Sequence, residues 1–487
     1  MNPQDASSFR AIRQKEKPLV ALVIFMTALY SVLSIFRHWH FMTNTADLGN
    51  FDQMVWHYSR FEAPASTNLG LDNSLGDHFS PILALCAPLF WIYPHAEILL
   101  AAQAFLFAVT MIPIFFFSEK RIGRKQSYCL LIAFMFFWGV QHTIEYDFHP
   151  DVFAVPLIAF AVYFIDIKKW GWASLSILAL LFVKEDLTLL VAAFGVYLAL
   201  QKKIKLGLLF ILTGILFFYL EVVVWVPFFH GTSGYYQHWQ YTGFGRQPSD
   251  SIKAVISNPF LVFDVFFSNA GRVKTLFFLF GPFLFLPLFS RQTILMAPLI
   301  AAKVLSDSPN FWGMSFHYSA TVCPILVMAT AEGLWNCRLK PFWQSPFFQK
   351  LLSAPTYILM INLILIPILS PWRYVAHPEF WMLNAMEKTG YAALALIPPD
   401  ASVATQGSIE PHLTHRKFIY QIGSRFNCDT QNPDFLVVCR DLNSFPVHYP
   451  EIEACLNEKM KNGYKTIFDS DGWTVLENES YTGIAAK

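Results

Sequence analysis

The chain has 487 residues, 55% of them hydrophobic and only 14% charged, with 49 Phe and a formal net charge of +1. Soluble domains carry about 25% charged residues, so this chain cannot cover itself with polar surface, and lipid must solvate much of it. The near-zero net charge gives no electrostatic reason to expect nucleic acid as a partner. Seven Cys are scattered without Cys-x-x-Cys spacing, which removes a zinc ribbon or a dithiol redox motif. In the tail, Cys428 and Cys439 bridge if their compartment is oxidising; otherwise they stay thiols, as Cys455 does.

Arg10, Arg13, Lys15 and Lys17 precede the first apolar run, Pro18 to Phe36. No small-residue cleavage site follows it, so the run reads as a retained signal anchor with a cytoplasmic N-terminus. The first outer loop then spans residues 37–80. Within it Leu48, Phe51, Val55 and Tyr58 recur at helical spacing, which predicts an amphipathic surface helix beginning near Asp47. Pro81 to Tyr93 is apolar but short of the roughly 20 residues of a span, and is expected to be re-entrant or interfacial.

Further runs follow at 95–117, 127–140, 152–167, 170–183, 187–200, 206–229, 276–289, 293–305, 319–335 and 355–369. Together with the first they make about eleven crossings. On this count the basic clusters Ser-Glu-Lys-Arg-Ile-Gly-Arg-Lys (118–125), Lys168-Lys169, Gln-Lys-Lys-Ile-Lys (201–205), Arg291 and Arg338–Lys340 fall inside. The acidic and His-rich clusters fall outside. Pro259 to Phe267 reads as a second surface helix.

From Trp372 the composition becomes that of a soluble domain. Short strands are expected at 402–406, 417–421, 434–439 and 472–476, with a helix over 452–462. The expected organisation is a transmembrane domain over 1–371 and an extracytoplasmic α/β domain over 372–487. The fold class is therefore mostly α: a polytopic helical membrane protein with a small C-terminal α/β domain.

Four outer-face clusters could carry chemistry. Asp47 and Asp52 offer a general base at the membrane surface, or an N-cap and a solvated face. Gly76-Asp77-His78 could orient a base or hold a metal, or form a polar turn before Pro81. Glu145, Asp147 and His149, followed by Asp151, suit a divalent cation, or make a hydrated loop. Lys184-Glu185-Asp186 interrupts an apolar stretch at membrane depth, where ionisable groups face a cavity or one another. Arg246 in the long loop 230–251 could hold a phosphate, and His317 and Tyr318 in the later loop 306–318 are candidate substrate contacts. Tyr235, Tyr236, Trp239 and Tyr241 could stack on a sugar or belong to an aromatic belt. Asp72 has only the standing of a turn residue.

Five motifs, in order, resemble a widespread prokaryotic family of predicted membrane proteins of unknown function. They are Asp-Leu-Gly-x-Phe-Asp-Gln-x-x-Trp (47–56), Asp-His-Phe-Ser-Pro (77–81), Asp-Phe-His-Pro (147–150), Val-Lys-Glu-Asp (183–186) and Pro-His-Leu-x-x-Arg (411–416). That family is grouped with the glycosyltransferase C superfamily, which includes protein mannosyltransferases and lipid A aminoarabinose transferases. The resemblance implies a polytopic enzyme of the inner membrane using a polyprenyl-phosphate-linked sugar, with its catalytic carboxylate in the first outer loop. Asp47 is the matching position. Many relatives carry Asp-Glu there, whereas this chain has Asp47-Leu48 and its next acid is Asp52.

The expectation is a membrane glycosyltransferase of inverting type. Asp47 and Asp52 form its catalytic pair. His78, Lys184, Glu185, Asp186, Arg246, His317 and Tyr318 bind substrate, and Glu145, Asp147 and His149 bind a divalent ion if one is used. The competing expectation is a transporter or lipid flippase with 184–186 at its substrate site. Transporters of that kind often show paired repeats, and this chain has none.

Overall fold

The computed structural model describes residues 15–231, 236–338 and 354–482. Arg10, Arg13, Tyr235 and Lys340, which carried expectations above, lie outside those residues.

The first helix, Lys17–Trp39, starts with Pro18 in its first turn and ends with Arg37 and His38, where cations complement the helix dipole. Leu19, Val23, Met26, Tyr30 and Leu33 recur at helical spacing and are buried, while Val20, Ile24 and Phe25 are more than half exposed. An apolar residue exposed on an apolar helix faces lipid. The buried face packs on Glu97–Ile122, and the Tyr30 hydroxyl donates to the Met135 carbonyl at 2.6 Å.

Two sets of polar contacts define the ends of the bundle. At one end Trp39 Nε1 donates to Glu97 at 3.1 Å. At the other, Arg124 meets Glu16 and Glu119, and Arg121 meets Asp166 at 2.6 Å. The basic loop 118–125 therefore lies at the opposite end from loop 37–80. Helices Leu187–Leu200 and Ile204–Tyr219 approach closely because Gly195 and Gly207 face each other. A Cβ on either would lie 2.5 Å from the other's carbonyl oxygen.

Among the described residues three helices are long and apolar enough to cross a membrane: Lys17–Trp39, Glu97–Ile122 and Ile204–His230. Arg124–Met135 and Trp138–Tyr146, bent by 43°, form a fourth if counted as one span. Trp170–Phe182, Leu187–Leu200, Thr293–Leu305 and Ala354–Leu369 are apolar but shorter. The run at 276–289 is not one helix. Its α-helix, Ala270–Phe280, stops before Pro282, and the chain continues as 3-10 turns at Gly281–Phe283 and Leu286–Phe289, with Leu284 and Phe285 at positive φ. Two prolines five residues apart, Pro282 and Pro287, remove the hydrogen bonds a helix would need. Pro81–Tyr93 holds only a 3-10 turn, Pro81–Cys86, and one helical turn, Ala87–Phe90.

The C-terminal sheet has five strands: β1 (Val403–Thr405), β2 (Ile419–Gln421), β3 (Phe435–Cys439), β4 (Tyr464–Ser470) and β5 (Trp473–Asn478). Their order is β2-β1-β3-β5-β4, with β1 parallel to β2 and β3 and the remaining pairs antiparallel. Helices Ala385–Leu394 and Tyr449–Lys461 accompany it. Strand β4 escaped the sequence reading because most of its residues stay at least partly exposed and its register breaks between Thr466 and Phe468. The disulfide joins Cys428 to Cys455, not to Cys439, which is a buried thiol in β3. Phe41, in the first loop, inserts into this domain's core, 5.1 Å from the Trp473 ring.

Candidate active site

A cavity of about 700 Å³ opens at the end of the bundle that carries loop 37–80. Its wall is assembled from chain segments far apart in sequence. Asp47 comes from a short π-helical segment, Thr45–Gly49, which leads directly into the helix Asn50–Ser59. Asn44 starts that segment, its side chain accepting from the Ala46 amide. Lys184, Glu185 and Asp186 come from the tip between two short apolar helices. His317 and Tyr318 come from the turn before Val322–Arg338.

The Asp47 side chain is 13% exposed, and its Oδ1 lies 2.7 Å from His149 Nε2. The His149 ring stacks on His317 at 3.5 Å between centroids. Asp151 Oδ2 sits 3.4 Å from the Lys184 ammonium and 3.8 Å from His317 Nε2. Among the described residues neither ring nitrogen of His317 has a hydrogen-bond partner, although the residue is buried. Burial, followed by the nearness of His149, keeps this imidazole well below the usual histidine range, so it is neutral. Tyr318 lines the cavity with its ring 4.2 Å from His317.

Next to Lys184 in the chain, Glu185 accepts from His78 Nδ1 at 2.7 Å, from the Phe79 amide at 3.1 Å and from the Tyr236 hydroxyl. Burial opposes a charge on His78, but Glu185 beside it outweighs that and raises the imidazole above its ordinary value. His78 stacks on His238 at 4.1 Å, and His238 Nε2 contacts Asp77 at 2.9 Å. One ligand atom from each of Asp77, His78 and His238 falls within 4.8 Å of the others, a set that could hold a metal ion. With Nδ1 of His78 engaged by Glu185, its Nε2 is the nitrogen left to coordinate.

Four expected residues lie elsewhere. Glu145 and Asp147 do not join His149 in a ligand set. Both are held by Arg37, at 3.2 Å for Glu145, and Asp147 also accepts from the Asn44 amide at 2.9 Å. These contacts tie the end of the first helix to the loop after Tyr146. Asp52 is fully buried, accepting from the Thr414 hydroxyl, with His415 Nε2 at 2.9 Å. It faces the C-terminal domain rather than the cavity. Arg246 is exposed on its loop and does not line the cavity.

Sequence reasoning missed Lys303 and His238. Lys303 lies in the apolar helix Thr293–Leu305, is 4% exposed, lines the cavity, and donates to the Phe311 and Gly313 carbonyls at 2.7 and 2.9 Å. A lysine inside an apolar run was itself the available signal. His238 sits in an aromatic loop with no spacing to mark it.

The family described as "Predicted membrane protein (DUF2079)" matches residues 37–475. The chain belongs to the DUF2079 family. No curated protein matches this DUF2079 chain by sequence. Among solved structures it is similar to ArnT from Cupriavidus metallidurans bound to undecaprenyl phosphate. That likeness has a TM-score of 0.55 and 11% identity, and covers 95% of this chain and 98% of the other. The apo form of ArnT matches equally, with a TM-score of 0.55, 12% identity, and 96% and 98% of the two chains covered. The likeness establishes a shared fold over 95% of this chain.

Proposed function

We propose that the protein is an integral membrane glycosyltransferase that moves a sugar from a polyprenyl-phosphate-linked donor to an acceptor at the outer face of the membrane. The observation that carries this reading is the convergence of Asp47, paired with His149, and the buried lysines Lys184 and Lys303 on one cavity. A carboxylate and two lysine amines lining one pocket suit a displacement at a sugar carbon. Asp47 takes the proton of the acceptor hydroxyl. The acceptor oxygen bonds to the anomeric carbon, the bond to the phosphate oxygen breaks, and the prenyl phosphate leaves with its negative charge. Lys184 and Lys303 stabilise that charge in a water-poor site, where it counts for more than in bulk solvent. His149 holds the Asp47 carboxylate toward the acceptor.

The likeness to a structure holding undecaprenyl phosphate supports a prenyl phosphate as the leaving group. The full complement of about eleven crossings, a cytoplasmic N-terminus and an outer C-terminal domain complete the reading. The Cys428–Cys455 disulfide supports that orientation, since such bonds persist in oxidising compartments.

The reading is tested by ligand-induced stabilisation of the purified protein in detergent. Undecaprenyl phosphate raises the unfolding midpoint, and Lys184→Met with Lys303→Met removes most of that rise. Equal stabilisation by undecaprenol, which lacks the phosphate, would show that the lysines do not recognise an anion.

A further inference from the structure

The carboxyl ends of the parallel strands β1 and β2 point at the first loop. In open parallel sheets this edge is where ligands bind; here the segment that carries Asp47 occupies it. Thr45 donates its amide to the Gly407 carbonyl at 2.9 Å, just beyond β1. The next turn of chain, a 3-10 turn at Glu410–His412, presents Glu410 to the same segment.

Glu410 is fully buried, and its partners are neutral. Oε2 accepts from the Thr45 hydroxyl at 2.6 Å, and Oε1 accepts from the Asn68 amide. Asn68 in turn accepts from the Gln421 amide at 2.7 Å, at the end of β2. Gly49 closes the contact from above: a Cβ there would lie 3.2 Å from Glu410 Oε1. Both ends of the Thr45–Gly49 segment therefore rest on one carboxyl group, with Asp47 between them. Burial raises Glu410 to about 8 against the pull of its two donors. A carboxyl group kept in so costly a place, with no basic partner among the described residues, is more than filling.

We propose that Glu410 is a positioning residue, through which the C-terminal domain sets the orientation of Asp47 toward the acceptor. The C-terminal domain is then part of the catalytic apparatus and not an appendage. The inference rests on Asp47 being the reacting carboxylate. Glu410 touches neither donor nor acceptor; it acts through Thr45 and Gly49.

The chemistry of the contact separates two substitutions. Glu410→Ala leaves Thr45 and Asn68 without their acceptor and empties the space under Gly49. Glu410→Gln keeps the shape. Its oxygen accepts from Asn68, its amide donates to the Thr45 oxygen, and the Thr45 proton turns to the Gly407 carbonyl, already 3.2 Å away.

Two readouts test the proposal on the full-length protein. The first is turnover of radiolabelled undecaprenyl-phosphate-linked mannose, glucose and aminoarabinose. Glu410→Ala lowers kcat about tenfold to a hundredfold, as displaced supporting groups do. Donor KM stays within about twofold, because the phosphate is held elsewhere. Glu410→Gln recovers most of kcat. The second readout is hydrogen exchange, which needs no substrate. Glu410→Ala speeds exchange of amides 45–53 while β3 and β5 keep their protection. Asp47→Asn is measured alongside. An active Asp47→Asn variant overturns the reading of Asp47, and the exchange data then decide whether Glu410 holds the segment. An inactive Asp47→Asn with a fully active Glu410→Ala, a loss that Glu410→Gln does not recover, or unchanged exchange in Glu410→Ala overturns the proposal.

Discussion

Asp52 offers the sharpest separation of a catalytic carboxylate from one that docks two parts of the chain. It sits in the helix after Asp47, yet it is 0% exposed and faces Thr414 and His415. Replacing it by Ala removes the acceptor of the Thr414 hydroxyl and the counter-charge of His415. Breaking a buried pair by removing one partner costs about 3–5 kcal/mol. His415 keeps 23% of its side chain exposed and can shed its proton, so about 3 kcal/mol, the lower end of that range, applies. That is roughly a hundredfold in the equilibrium for opening the contact. The assay is hydrogen exchange of amides 410–421 and 45–59 in the Ala variant against wild type, at several pH values. Burial works against a charge on His415, but Asp52 outweighs it and the imidazole is raised above its ordinary value. A raised histidine contributes stability that is whole below its unfolded value, about 6.5, and is lost as pH climbs through the folded value. The difference between wild type and variant is therefore largest at pH 6 and shrinks above neutrality. Unchanged protection at pH 6, together with loss of turnover, would return Asp52 to the catalytic pair.

Two further outcomes follow from the cavity wall. If Asp77, His78 and His238 hold a divalent ion in use, chelation followed by dialysis lowers the unfolding midpoint of the wild type, adding back Zn²⁺ restores it, and His238→Ala is insensitive to both treatments; equal responses in the two proteins would remove the ion from these residues. Gly76 abuts the end of Ile204–His230 so closely that a Cβ would lie 2.4 Å from the His230 amide nitrogen. Gly76→Val thus displaces His78 from Glu185 and weakens stabilisation by undecaprenyl phosphate at least tenfold in half-maximal concentration, by about 1.4 kcal/mol; a variant matching wild type would show that this loop can yield without consequence.

The helical class and the place of the polar clusters were legible because both rest on local signals. A long apolar run needs lipid, and a charge that interrupts one needs a cavity. Such a signal marked Lys184, Glu185 and Asp186, and it was present and unread at Lys303. Pairings between distant segments carry no such mark. Asp52 sits five residues after Asp47 like any second acid, and only the C-terminal domain's approach sends it to His415. Glu145 and Asp147 look like metal ligands until Arg37, more than a hundred residues earlier, neutralises them. Cys428 was matched only with Cys439 in the sequence, but the packing of Tyr449–Lys461 against the sheet brings Cys455 to it. The break at 281–289 was visible in Pro282 and Pro287, but apolar composition outweighed them in the count of crossings. Glu410 was hidden for another reason: a lone acid before the Pro-His-Leu motif has no sequence neighbour that reveals its contact with Thr45.

The central claim is that Asp47 accepts the proton of the acceptor during sugar transfer. Its most direct measurement is turnover of the undecaprenyl-phosphate-linked sugars by purified Asp47→Asn, with stabilisation by undecaprenyl phosphate as the control for an intact cavity. Asn keeps the shape and can still contact His149, but it cannot take a proton. Turnover is expected to fall by about 10² to 10⁴, while the stabilisation by undecaprenyl phosphate stays at the wild-type value. Wild-type turnover by Asp47→Asn would contradict the account.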